Sequence, residues 1–198
     1  MDFYGGWKTT WGDRVLDLGA IYYYYPGTDA NRTANTQFTN PRNGKVKTGS
    51  VHNSEIYFGG FWKCLSLKYN NAVSDYFSLP GTKNSGYLDL SGTYDLGDGW
   101  GIVGHVGSFR LKNWNNGVRG NNANYTDWKL GVTKHLGGWI FDASYIDTSA
   151  KGSCNLVGGA TEFYCFANQL PNTGIGTGSA KFKNMSNSTV VLSASKIL

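Results

Sequence analysis

The residues with the greatest chemical capacity in this chain are three histidines, three cysteines and thirteen carboxylates. His52, His105 and His135 lie far apart in the sequence and outside any nucleophile motif, so no Ser/His/Asp arrangement can be assigned. The carboxylates are scattered among separate segments, and no two of them can be chosen as a catalytic pair. No Cys/His spacing is typical of a metal site. We therefore expect no enzyme activity, cofactor or metal, and a hydrolase stays as an alternative.

The cysteines point to an oxidising compartment. Cys154 and Cys165 lie in one Gly-rich, irregular segment and can pair across a short loop, which a disulfide would staple. Cys64 lies at the end of an apolar strand and is predicted to act as a small hydrophobic residue. No basic and apolar leader follows Met1, so no signal peptide is visible. In an exported protein this would indicate a mature form, a truncated chain or an incomplete reading frame.

The elements that position these residues are strands with period-two alternation. The clearest case is the segment Trp128–Asp147, where Gly137 and Gly138 join two alternating runs in a tight hairpin turn. Long 3.6-residue periodicity is missing, which favours an all-β chain. Nine strands are predicted: Met1–Thr9, Val15–Tyr25, Ser54–Cys64, Leu65–Val73, Tyr87–Leu96, Trp100–Arg110, the two strands of the hairpin, and Ser188–Leu198.

The connections between these strands alternate between short and long. Outer-membrane barrels have short periplasmic turns and longer extracellular loops, whereas long crossovers of a Greek-key sandwich fall irregularly. The 198 residues are 40% hydrophobic, and no window of about 18 apolar residues predicts a transmembrane helix. We therefore predict one domain, residues 1–198, that forms an antiparallel up-and-down transmembrane β-barrel with long extracellular loops at about 28–53 and 148–187.

Nine strands are an odd number for such a barrel. Bacterial single-chain barrels have an even number of strands. If the last strand ends in the periplasm, the first strand begins on the extracellular side. We therefore expect an odd number of further strands, most simply three, before Met1, unless one strand is misassigned or residues 148–187 hide another.

The face opposite the apolar residues carries charges of both signs, which we predict to line the lumen. In a barrel of about twelve strands they would set a weak ion preference along a narrow aqueous path. The alternative is a plug in which opposite charges pair and fill the lumen. His105 would be one hydrogen-bonded member or a pH-sensitive group. The predicted lumen-lining residues are Asp2, Lys8, Asp17, Glu55, Lys63, Lys68, Asp89, His105, Asp127, Lys129 and Asp142.

Aromatic residues gather near the strand ends. In a membrane protein they form girdles at the two interfaces, and in a soluble protein they would be core residues or sugar-stacking platforms. The predicted girdle consists of Trp7, Tyr22, Tyr24, Trp62, Trp100, Trp128 and Trp139. The net charge of +5 is spread without a Lys/Arg run, so we expect no nucleic-acid binding and a fit to anionic lipid head groups.

Four segments of the chain resemble the sequences of one bacterial family. They are Trp11–Gly27, Glu55–Asn70, Ser85–Gly101 and Tyr125–Trp139. They resemble proteins predicted to be TorF-type outer-membrane porins, also called the Gcw_chp family, from about residue 2 to the end. Members usually have a signal peptide, about twelve strands and a terminal aromatic residue, where this chain has Leu198. The likeness contains no catalytic motif, so it implies a fold and a location and no substrate.

Together these patterns predict a bacterial outer-membrane barrel, a porin that passes small solutes or ions by diffusion through a charged lumen. One alternative is a non-conducting barrel whose loops bind a partner or stabilise the envelope. Another is a soluble β-sandwich with carbohydrate-binding aromatic residues. The expected partners are outer-membrane lipid and lipopolysaccharide, with further copies of the chain or neighbouring envelope proteins.

Overall fold

The fold consists of antiparallel strands that pair with their neighbours in chain order. The computed structural model describes residues 1–29, 39–158, 160–169 and 181–196. Its strands are β1 (Asp2–Trp11), β2 (Arg14–Tyr24), β3 (His52–Trp62), β4 (Leu65–Ala72), β5 (Gly86–Gly97), β6 (Trp100–Arg110), β7 (Tyr125–Leu136), β8 (Trp139–Thr148), β9 (Cys165–Gln169), β10 (Lys181–Asn184) and β11 (Thr189–Lys196). The main sheet has nine strands, β1 to β8 followed by β11. The predicted all-β antiparallel architecture is confirmed.

Four tight turns lie at one end of this sheet, which we call the short-turn end. Two residues separate β7 from β8, namely Gly137 and Gly138, whose φ angles are +58° and +78°. A two-residue turn between twisted strands requires positive φ, which glycine adopts without the steric cost that a Cβ brings. The turns after β1, β3 and β5 are also two residues long. Three of them fix the register of the hairpin that they join, whereas the pairing of β5 with β6 shifts by one residue between Asp95 and Gly97.

The two faces of the main sheet differ in chemistry. The apolar face carries Phe58, Leu90 and Val132, whose residues are 57%, 47% and 45% exposed. No described segment covers this face. The polar face carries Glu55, His105 and Asp127, which are partly buried. One cavity is lined by residues from β2 through β7 on the polar face, so the sheet curves around that face.

The buried apolar core lies at the opposite end of the sheet, where the long connections meet. It consists of Phe109 at the end of β6 with Leu111, Trp114 and Ala123 from the following loop. Tyr76 and Phe163 pack against it from two other connections. We call this the loop end. The core therefore anchors loops to the mouth of the curved sheet and does not join two sheet layers.

The long connections contain structure of their own. Residues 148–187, predicted to be a loop, contain the hairpin of β9 and β10. Cys154 and Cys165 form a disulfide bond at its base, with Cα atoms 5.2 Å apart. Tyr164 OH donates to Ala123 O at 2.6 Å and ties this segment to the core loop. Parts of both predicted loops, residues 30–38, 159 and 170–180, lie outside the described residues, as does Leu198.

A closed barrel is not found in the described residues, because β1 and β11 each pair with one neighbour and not with each other. Cys64, predicted to be an apolar strand residue, is exposed in the turn between β3 and β4. No helix in the described part of the chain is long and apolar enough to cross a membrane.

Candidate functional site

The predicted lumen-lining residues lie mostly on the polar face of the main sheet. Strand register places Lys8 opposite Asp17 and Lys68 opposite Asp89, so opposite charges meet across neighbouring strands. Lys63 is the exception, because it follows β3 in a turn with a φ of +53° and its Nζ atom lies over Trp62. The members on strands of this face are Asp2, Lys8, Asp17, Glu55, Lys68, Asp89, His105, Asp127, Lys129 and Asp142.

His105 is the centre of a hydrogen-bonded network on β5, β6 and β7. Its Nδ1 atom lies 3.1 Å from Asp89 Oδ2, and its Nε2 atom lies 2.8 Å from Asp127 Oδ2. Tyr87 OH donates to Asp127 Oδ1 at 3.0 Å. Ser91 Oγ donates to Asp89 Oδ1 at 2.6 Å. The side chains of His105, Asp89 and Asp127 are only 16%, 27% and 21% exposed, so the charges are partly screened from water.

The register of the three strands explains why these groups meet. Asp89, Gly107 and Asp127 form one row across β5, β6 and β7. Gly107 has no side chain, and a Cβ atom at this position would overlap the hydroxyl group of Tyr87. The ring of Tyr87 therefore lies above the glycine and reaches Asp127. His105, two residues away on β6, fills the space between the two carboxylates.

This network contains a serine, a histidine and an aspartate in contact, which the sequence analysis did not assign. Ser91 Oγ lies 3.1 Å from Nδ1 of His105. A serine nucleophile needs a histidine nitrogen that is free to accept its proton. Here the same nitrogen faces Asp89, and Ser91 already donates to that carboxylate. The geometry favours a structural charge network over a hydrolytic site.

The described residues offer no metal site. No group of three His, Cys, Asp or Glu side chains among them is arranged to hold an ion. In the His105 network each ring nitrogen contacts a carboxylate oxygen directly. The nitrogens and the carboxylates therefore do not point together at a position where a metal ion could bind. The chemistry of the network is therefore hydrogen bonding between these side chains.

A second feature of the polar face is a cavity of about 410 Å³ near the loop end. We call it the aromatic cup. Its ring wall is continuous: Tyr76 lies 4.8 Å from Phe77 and 5.1 Å from Phe109, and Phe109 lies 5.3 Å from Tyr125 between ring centroids. The residues that line the cup include Tyr23, Glu55, Lys68, Asn70, Tyr76, Phe77, Tyr87, Phe109 and Tyr125.

Phe77 reaches the cup through an uncommon backbone conformation. Its φ and ψ angles are 44° and 41°, and the next residue, Ser78, also has a positive φ of 61°. Bulky residues rarely adopt the left-handed region, where the Cβ atom meets the carbonyl oxygen. Ser78 is held by hydrogen bonds to both backbone groups of His52, at 3.0 and 3.1 Å. The strained turn thereby places the ring of Phe77 against Tyr23.

The polar groups of the cup are available for hydrogen bonds. Glu55 Oε1 accepts from Asn53 Nδ2 at 2.7 Å, and Oε2 has no partner among the described residues. The hydroxyl groups of Tyr23, Tyr76 and Tyr125 likewise form no hydrogen bond with a described residue. Burial raises the pKa of Tyr76, so its hydroxyl group keeps its proton and can donate.

The apolar face ends in tryptophans that lie beside lysines. At the short-turn end the Nζ atoms of Lys63, Lys134 and Lys196 lie 5.4, 4.6 and 5.7 Å from the ring centroids of Trp62, Trp100 and Trp139. We call these six residues the tryptophan–lysine belt. Trp11 is a further exposed tryptophan at this end of the sheet, and it was not among the predicted girdle residues. Towards the loop end the same face carries Tyr22, Tyr24 and Trp128, and Trp7 lies between the two ends of β1.

A family model described as "Bacterial protein of unknown function (Gcw_chp)" matches residues 1–169. The chain belongs to the Gcw_chp family. The match covers β1 to β8 and reaches the end of β9. Neither the comparison with curated proteins nor the comparison with solved structures found a match. The predicted family is therefore confirmed, and the match carries no porin description.

Sequence reasoning on this Gcw_chp member missed the partners of His105. Part of the signal was present, because Tyr87, Asp89 and Ser91 alternate on one face of β5. The partner on β6 could not be counted from the turn after Gly97, since an unbroken register would set Ser91 opposite Val106. A shift of one residue between Asp95 and Gly97 sets it opposite His105 instead. Tyr76 and Phe77 were missed for another reason: they lie in a connection with no periodic pattern, and only the folded turn directs them to the cup.

Proposed function

We propose that this Gcw_chp protein is an outer-membrane β-barrel porin that passes small solutes and ions. The observation that carries the proposal is the uncovered apolar face of the nine-stranded sheet. Large side chains such as Phe58 and Leu90 are about half exposed in mid-strand, where a water-soluble protein would bury them. The strands of the main sheet are 8 to 12 residues long, which suits strands that cross a bilayer.

The tryptophan–lysine belt supports the same orientation. Tryptophan prefers the boundary between acyl chains and head groups, and lysine extends its ammonium group from there towards anionic lipid phosphates. Both residue types lie at the short-turn end, which in outer-membrane barrels faces the periplasm. The long connections would then face outwards, towards lipopolysaccharide. The partners of the outer surface are outer-membrane lipid and lipopolysaccharide.

Function as a porin requires closure of the sheet. β1 and β11 have free edges in the described structure, and an unpaired backbone group in hydrocarbon costs several kcal/mol. Further strands, either from a longer chain or from another copy, would complete the wall. The polar face then becomes the lumen, and the curvature of the sheet towards that face supports this assignment.

A non-conducting barrel is the second candidate. It is favoured by the His105 network and by the connections at the loop end, which place side chains over the polar face. The soluble sandwich needs a second layer over Phe58, Leu90 and Val132, and the described residues contain none. The uncovered apolar face therefore weighs against the soluble sandwich more than against a non-conducting barrel.

The test is conductance in planar lipid bilayers. The full chain, refolded in detergent and shown to form β-structure by circular dichroism, is added to one side under a fixed voltage. The porin proposal expects discrete, persistent current steps. Folded protein that inserts into vesicles but gives no current would favour the plugged barrel. Protein that stays soluble and folded without detergent would overturn both.

A further inference from the structure

The aromatic cup has the composition of a binding site for a small organic molecule. Its volume of about 410 Å³ lies within the range of ligand pockets, about 300 to 1,000 Å³. Such pockets combine apolar walls with a few polar groups that fix the orientation of the ligand. Here the walls are the rings of Tyr23, Phe77 and Phe109. The polar groups are Glu55, Lys68 and the hydroxyl groups of Tyr23, Tyr76 and Tyr125, which form no hydrogen bond with a described residue.

Two features show that the cup is held open by the fold. The turn that brings Phe77 into place has two consecutive residues with positive φ, and such strain persists only where surrounding contacts enforce it. Ser78 enforces it through its two hydrogen bonds to His52. The ring wall is anchored behind Tyr76 by Phe109, Leu111 and Trp114 of the buried core. The walls are therefore preformed.

The charges of the cup indicate which class of ligand it accepts. Glu55 and Lys68, a carboxyl group and an ammonium group, both line the cavity, so its lining has no net formal charge. The ammonium group of Lys68 lies 4.0 Å from the ring centroid of Tyr57, which already stabilises it. A ligand with a net charge would meet one attractive and one repulsive group. A neutral ligand rich in hydroxyl groups can donate to Glu55 and accept from Lys68 and the tyrosines.

We propose that the aromatic cup binds a neutral saccharide of one or two sugar units. The apolar ring faces of the sugar pack against Phe77 and Phe109, and its hydroxyl groups bond to Glu55, Lys68 and Tyr76. This inference concerns binding to the polar face and does not require that the protein conducts. Binding in detergent micelles is therefore measurable even if the porin proposal fails.

The experiment is a titration of the full chain with maltose, monitored by saturation-transfer NMR. The chain is refolded in lauryldimethylamine oxide, a detergent without a sugar head group. We expect a saturable signal from the C–H protons of maltose. Phe77→Ala should weaken binding about tenfold because it removes a ring wall. Glu55→Gln, which keeps the shape of the side chain, should weaken it about fivefold through the lost charged hydrogen bond. Choline and acetate serve as charged probes.

Tyr94→Ala is the matched control, because Tyr94 is an exposed aromatic residue of β5 on the apolar face. It should bind maltose like the unmodified chain, and circular dichroism should show that all variants fold. The proposal is overturned if the folded chain shows no saturable maltose signal, or if Glu55→Gln and Phe77→Ala bind as tightly as the control. Tighter binding of choline or acetate than of maltose would overturn the neutral class. Maltose binding by a protein that gives no current would support the saccharide site and contradict the porin proposal.

Discussion

His105 links three strands through its contacts with two carboxylates, one on each neighbouring strand. Asp89 and Asp127 flank it at 3.1 and 2.8 Å, with little exposure to water. Replacing His105 with alanine leaves both carboxylates partly buried without their shared partner. We expect His105→Ala to lower the free energy of unfolding by about 1 to 3 kcal/mol. Urea titration of the refolded protein in micelles, followed by tryptophan fluorescence, measures this change.

His135→Ala is the control for this substitution. His135 lies on the same sheet but is exposed near the short-turn end of β7. Its replacement should change the unfolding midpoint little. Equal effects of the two substitutions would show that the loss at His105 reflects strand propensity and not the network.

At the residue scale the sequence predicted which face of the sheet a side chain lies on, but not which side chains contact each other. Period-two alternation placed Asp89, His105 and Asp127 on one side of the sheet, because successive side chains of a strand point in opposite directions. It did not show that Gly107 opens a space in which these three groups converge. The turn that contains Lys63 was harder to place, because the end of β3 carries no strong turn signal and the alternation continues by chance into the turn.

At the scale of the strand, the apolar face should be sensitive to charge in proportion to depth in the bilayer. Leu90 lies in the middle of β5 on the apolar face, and the exposed Leu96 lies at the end of β5, where the pairing with β6 is irregular. In a transmembrane strand, Leu90→Arg should destabilise the protein by about 2 to 4 kcal/mol and Leu96→Arg by about 0 to 1 kcal/mol. Unfolding by urea in lipid vesicles measures both variants.

The paired design separates three readings of the same face. Small and equal losses would mean that the face is in water, and the membrane assignment would fail. Large and equal losses would indicate that both positions are covered by protein. Only the difference between mid-strand and strand end is specific to a bilayer, because the cost of a buried arginine falls towards the head groups.

The disulfide-bonded segment is the other element with a clear energetic role. Cys154–Cys165 closes a loop with a sequence separation of 11 next to β9, and Tyr164 and Arg119 attach this segment to the core loop. Replacing both cysteines with serine should destabilise the loop end by about 2 to 3 kcal/mol through the loop entropy regained on unfolding. Thermal unfolding followed by circular dichroism measures the loss.

Cys64→Ser provides the comparison for that prediction, since Cys64 is a free thiol in a turn. It should leave the melting temperature unchanged. A reducing agent should lower the melting temperature of the Cys64→Ser chain but not that of the double serine variant. If the agent affects both chains alike, the disulfide contributes nothing to the measured stability.

At the scale of the whole molecule, alternation of short turns and long loops predicted the order of all nine strands of the main sheet. Two-residue turns force consecutive strands to be antiparallel neighbours, so this order follows from local signals. Closure could not be derived in the same way. Whether β1 and β11 meet depends on strand number, tilt and register shift around the whole ring, which no local pattern encodes. The hairpin of β9 and β10 was missed because its strands are short and flanked by irregular sequence.

The charge balance of the polar face differs from that of the chain. The chain has a net charge of +5, yet on the main sheet this face carries more carboxylates than lysines. The lysines are Lys8, Lys68 and Lys129. The carboxylates are Asp2, Asp17, Glu55, Asp89, Asp95, Asp127 and Asp142. Most basic residues therefore lie on turns, on connections and beside the tryptophans. Acidic side chains that line a pore favour cations over anions.

If the polar face is the lumen, the protein should prefer cations despite its positive net charge. In planar bilayers with a gradient of KCl, the reversal potential should have the sign expected for permeant K⁺. Asp142→Asn should shift it towards zero, because it removes a carboxylate outside the His105 network. Lys129→Gln should shift it the other way, since it removes one of the few cations on this face. Lys134→Gln, a change on the apolar face, should leave it unmoved. An anion-selective current, or equal shifts for Lys129→Gln and Lys134→Gln, would mean that solutes do not pass along the polar face.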